Sequence, residues 1–128
     1  RPERTAEKVL TAVYTVDNAE IQRRREAIDN RTFDTYMRER CDGAVTDNCI
    51  DGMITASALY YGATPAKVES IKFSPIDKAT SDTASFQYTA VFSDDSNAKE
   101  RIGHVVMKKE NGKWRVDSFV TKSVTKAD

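Results

Sequence analysis

Asn111-Gly112, set between two runs in which apolar and polar residues alternate, constrains this chain more than any other feature. Both residues tolerate the positive φ of a tight reversal, so the dipeptide predicts a two-residue β-hairpin. Counting outward from that turn pairs Glu110 with Lys113 and fixes two faces. One face holds Lys109 with Trp114, Met107 with Val116, Val105 with Ser118 and Gly103 with Val120. The other holds Lys108 with Arg115, Val106 with Asp117, His104 with Phe119 and Ile102 with Thr121. Side chains alternate with a period of two, so one residue of slip would exchange the faces. The first set is apolar and is expected against the core. It offers no carboxylate or imidazole, and the only histidine is expected outside, beside Phe119.

Upstream the period is helical. Ala6, Val9, Leu10, Val13 and Val16 recur at spacings of three and four, and Pro2 suits a first helical turn. Asp17 followed by Glu20 has the form of a capping box, so a second helix starts there or the first runs on. In that stretch Ile21 and Ile28 are expected inward, residues 22–26 in water, and Glu20 one turn from Arg24, within pairing reach. Asn30-Arg31-Thr32 matches a glycosylation sequon but reads as a helix-start turn. Helices are expected over 32–40, with Phe33, Tyr36 and Met37 inward, and over 53–61, stopping at Gly62. The period then changes to two: strands over 67–73, 84–93, 100–109 and 114–124, a polar connection over 77–82 and a loop over 94–99. This reads as one α+β domain over 1–128: N-terminal helices (about 3–61) packed on a curved antiparallel sheet of about four strands (about 66–124).

Cys41 and Cys49 are the only cysteines and flank one loop with Asp-Gly turns. We expect a bridge, worth roughly 2–3 kcal/mol in the chain-entropy model, which implies an oxidising, extracytoplasmic compartment. The alternative is two separate buried thiols. Zinc is excluded because the only histidine is remote. A calcium loop begun at Asp47 fails at Cys49 and Ala58. No phosphate-cradling glycine loop or G-x-S-x-G elbow occurs, and no cofactor is expected. Twenty Lys+Arg balance twenty Asp+Glu, which argues against a nucleic-acid groove. No apolar run reaches membrane-span length. The chain starts at Arg1 without an initiator Met, so any anchor is expected from a segment upstream.

Two surfaces stand out as candidates. Ile102, Val106 and Phe119 around His104 form an apolar patch on the outer sheet face, either a protein or subunit interface or a surface covered by a further segment. Tyr14, Tyr36, Tyr88 and Trp114 are candidates for a small-molecule pocket, or simply packed aromatics. His104 itself reads as a structural residue with a possible Asp117 contact.

The hairpin Lys108-Lys109-Glu110-Asn111-Gly112-Lys113-Trp114-Arg115-Val116, placed after helices and alternating strands, resembles the nuclear transport factor 2-like (cystatin-like, SnoaL-like) superfamily. That resemblance implies a cone-shaped sheet wrapped by helices, often dimerising through its outer face. The superfamily includes isomerases and dehydratases with an acidic base inside the cone, transport adaptors, extracytoplasmic domains, and domains of type IV secretion and conjugation machinery. The last two strands supply no inward acid here. The expectation is therefore a non-catalytic extracytoplasmic module that binds a protein partner or a second copy through its sheet face, with an isomerase-like pocket protein as the alternative.

Overall fold

The computed structural model describes residues 1–55, 64–93 and 98–126. Four helices come first: α1 (Pro2–Tyr14), α2 (Asn18–Asp29), α3 (Phe33–Arg40) and α4 (Asp47–Thr55). Strands β1 (Val68–Phe73), β2 (Lys78–Ala79), β3 (Thr83–Phe92), β4 (Ala98–Glu110) and β5 (Lys113–Lys126) follow. The strands form one antiparallel sheet in the order β1-β3-β4-β5, with β2 also on β3. The α+β expectation holds with one added strand. Within the connection over 77–82, Lys78 and Ala79 pair with Ser85 and Ala84, and Thr80 N–H donates to the Thr83 carbonyl at 2.8 Å.

The core lies between the helices and one sheet face. The α1 stripe Ala6, Val9, Leu10 and Val13 packs with Phe86, Tyr88, Ala90, Val105, Met107 and Val116. α1 ends at Tyr14 because Thr15 turns extended. Asp17 then caps α2, its carboxylate accepting from Glu20 N–H at 2.7 Å. Only that half of the capping box forms, because the Glu20 side chain turns inward.

Glu20 organises the helices. α1 has no cation in its last turn, and the carbonyls of a helix end lack intrahelical partners. α2 and α3 supply the donors. Arg24 Nη1 and Nη2 donate to the carbonyls of Val13 (2.9 Å) and Ala12 (3.0 Å). Arg40 Nε and Nη2 donate to those of Ala12 (2.9 Å) and Thr15 (2.8 Å). Glu20 balances both guanidinium groups, at 2.7 Å from Arg24 Nε and 3.0 Å from Arg40 Nε, and accepts the Tyr36 hydroxyl. The predicted Glu20–Arg24 pair thus forms, but not in water: Arg24 is 1% exposed and Glu20 3%. One face of the expected solvated run is core, because a carbonyl-rich helix end needs cations there.

α4 begins at Asp47, six residues before the expected helix. Thr46 Oγ1 accepts from Cys49 N–H at 3.1 Å, an N-cap passed over among the turn residues of the cysteine loop. The predicted stop at Gly62 and most of the loop over 94–99 lie outside the described residues.

The hairpin turn is as predicted, with Asn111 at φ 52° and Gly112 at φ 76°. Pairing runs as counted through Met107↔Val116, then shifts by one residue, so that Val106 faces Ser118, Val105 faces Phe119, His104 faces Val120 and Gly103 faces Thr121. Asp117 is the extra residue of a β-bulge. Its carboxylate accepts from Thr46 Oγ1 at 2.7 Å and its carbonyl from Asn48 Nδ2 at 3.0 Å, so the start of α4 holds the bulge in place. A second shift at Lys122 pairs Ile102 with Ser123.

Removing the Glu20 carboxylate strands two guanidinium groups, one of them fully buried. Glu20→Ala should therefore lower the unfolding free energy by about 3–5 kcal/mol in urea titration. Glu20→Ala/Arg24→Met, which removes the buried cation as well, should recover part of that loss.

Candidate functional site

The bulge re-sorts the outer sheet face. Ile102, His104 and Val106 remain there as predicted, joined by Ser118 and Val120 of β5 and by Gln87, Thr89 and Val91 of β3. Phe119 does not. It turns inward and meets the Tyr14 ring edge-on at 6.1 Å, because the extra residue at Asp117 reverses the parity of the strand from Ser118 to Thr121. Val120 takes its place and is 57% exposed. Valine and isoleucine side chains thus lie on a face opposite the helices, where a solvated sheet carries polar residues.

His104 sits within this face, its side chain 26% exposed, with Nε2 3.5 Å from Asp77 Oδ2 at the entry to β2. The expected neighbour Asp117 is instead engaged by Thr46.

The four aromatics proposed for a pocket do not converge. Tyr14 and Tyr88 share a hydroxyl–hydroxyl hydrogen bond of 2.7 Å, and Tyr14 reaches Thr121 Oγ1 at 3.3 Å. Arg101 lies over the Tyr14 ring, its guanidinium carbon 5.1 Å from that ring centre and 5.8 Å from that of Phe92. Burial raises the Tyr88 ionisation well above the ordinary phenol value, and Tyr14 adds to it. Tyr36 is instead tied to Glu20, and burial together with that carboxylate lifts its pKa to about 12. Trp114 lies five residues from Phe119 on β5, about 17 Å along an extended strand, with Lys109 Nζ 5.6 Å from its ring centre. Cavities of about 340 and 220 Å³ open elsewhere, and none of the four lines either.

Tyr88 packs over Gly103, its partner across β3 and β4. A Cβ on Gly103 would stand 2.3 Å from the Tyr88 oxygen and 2.5 Å from the Val120 carbonyl. The glycine is required by this close approach and not by a turn.

The expected cysteine bridge is absent. Cys41 ends α3 and Cys49 lies inside α4; both are buried and unpaired. The early start of α4 takes Cys49 out of the loop and into the helix, where it joins Cys41 in the core cluster as a thiol. Burial pushes the Cys41 thiol up to about 11 and Cys49 to about 12, the latter helped by Cys41 and Asp117. Among the described residues no helix is long and apolar enough to cross a membrane, and no cluster of His, Cys, Asp and Glu is disposed to hold a metal. No family model, curated protein or solved structure matches the chain.

Sequence reasoning missed Val120, Asp77 and the Arg40 clamp. The first had a signal: without a bulge, Ser118 lies in the core and Phe119 in water, an inversion that one extra residue corrects. The other two depend on contacts between distant segments.

Gly103→Ala should cost about 1–3 kcal/mol by overpacking, read as a lower thermal midpoint. Both thiols should resist aromatic-disulfide reagents in the native protein and react fully in denaturant. Because their folded pKa values lie above the ordinary 9.0, their stabilising contribution is complete below pH 9 and lost as pH rises toward 11–12. The denaturation midpoint should therefore fall from pH 9 upward, and fall less in Cys41→Ala/Cys49→Ala.

Proposed function

We propose that this chain is a non-catalytic protein-interaction module whose outer sheet face docks a second copy of itself. The observation that carries the reading is the open patch of Ile102, Val106 and Val120 around His104, on the side away from the helices. Apolar sheet surface left in water is stabilised by being covered. A second copy is favoured as occupant because the formal net charge is zero, so two chains approach without the self-repulsion that keeps strongly charged proteins apart. Helices ahead of a bulged antiparallel sheet also suit the nuclear transport factor 2-like reading and an envelope-assembly role. With Cys41 and Cys49 unpaired, the extracytoplasmic placement rests on that likeness alone.

Sedimentation velocity at roughly 100 μM, a concentration that populates even weak dimers, should find the wild type dimeric. Val120→Asp should be monomeric with an unchanged circular dichroism spectrum, since Val120 supports no core contact. A wild type that stays monomeric at that concentration overturns the second-copy reading.

A further inference from the structure

A cleft of about 340 Å³ opens between the α1–α2 corner and the paired ends of β1 and β3, away from the outer face. One side is the isolated bridge between Val16 and Ala66, and its charged lining is Arg23, Arg40, Lys67, Asp17 and Glu20. The guanidinium groups of Arg23 and Arg40 meet both carboxylates here, and both carboxylates are engaged. Asp17 caps α2, and Glu20 is held by Arg24, Arg40 and Tyr36. Arg24, directly behind, is buried and draws on the same Glu20 carboxylate at 2.7 Å. Glu20 thus faces Arg23, Arg24 and Arg40 at once, and the cleft has room for a further anion.

The donors are in place. Arg40 uses Nε and Nη2 on the Ala12 and Thr15 carbonyls and lies 3.0 Å from Glu20, which together hold the guanidinium still; Nη1 has no hydrogen bond among the described residues. The Arg23 side chain is 57% exposed and its nearest carboxylate oxygen, on Glu20, is 3.8 Å away, too far for a hydrogen bond. Ser93 Oγ, also in the lining, is buried with no hydrogen-bond partner among the described residues. A planar guanidinium fixed by backbone carbonyls, a second one free to close and a hydroxyl donor form a receptor for oxygen anions. We propose that this cleft binds the oxyanion group of a small molecule, carboxylate or phosphate, through Arg23, Arg40 and Ser93.

The test is amide NMR titration with inorganic phosphate and, separately, with acetate, chloride holding the ionic strength constant. Saturable shifts at Val16, Ala66, Lys67 and Ser93 are expected. Saturation by one anion alone also supports the site and identifies the group it takes. Arg23→Gln, on an exposed side chain whose loss leaves the fold intact, should weaken binding by about tenfold or more, the size of one charge-assisted contact. Ser93→Ala should weaken it less, and Val120→Asp not at all, which separates this site from the docking face. Shifts that grow linearly and match those in chloride, or an Arg23→Gln protein that binds like the wild type, overturn the proposal.

Discussion

The architecture depends on how one helix ends. α1 carries the central core stripe and stops at Tyr14 with carbonyls that nothing in its own last turn satisfies. Arg24 and Arg40 bring donors from two other helices, and Glu20 makes it tolerable to bury them. Bringing such charges out of water is costly unless every polar atom finds a partner. Here the partners belong to α1, α2 and α3 together, so the arrangement exists only when all three are docked. It acts as a registry device: α1 cannot slide along α2 without leaving buried charge unpaired.

The sheet is registered by the same means at its other end. Thr46 caps α4 and also holds Asp117, so the position of the bulge is tied to the start of a helix. The bulge then decides which side of β5 is greasy beyond it, sending Phe119 to Tyr14 and Val120 outward. A local backbone irregularity thus controls both the inner aromatic cluster and the outer apolar patch. Gly103 lies where those two meet, with Tyr88 on one side and the Val120 carbonyl close by.

Much of this was legible from residue order. The α1 stripe, the Asp17 start, the β3 alternation and the Asn111-Gly112 turn each follow from local periodicity or turn chemistry, and each agrees with the packing that confirms it. What was not legible involves partners far apart in the chain. Arg24 looked solvated because three arginines in a row usually are, and its carbonyl partners lie more than ten residues away. Cys41 and Cys49 suggest a bridge because the turn residues between them conceal a helix start. Phe119 was misplaced because a turn sets register only as far as the first bulge. Of the outer patch, Ile102, His104 and Val106 were visible in the alternation and Val120 was not.

The segment between α3 and α4 has a consequence for how copies of this chain can associate. Val45 lies against Val116 as a parallel bridge, with Thr46 N–H donating to the Val116 carbonyl and Val116 N–H to that of Ala44. At Val116 the outermost strand is therefore already occupied along its hydrogen-bonding margin, and the exposed Lys122 places a charge further along it. Sideways growth of the sheet, which has no natural stopping point, is discouraged at this border. In the dimer we propose, contact through the broad surface would instead cover each patch once and then be complete, giving closed pairs and not filaments.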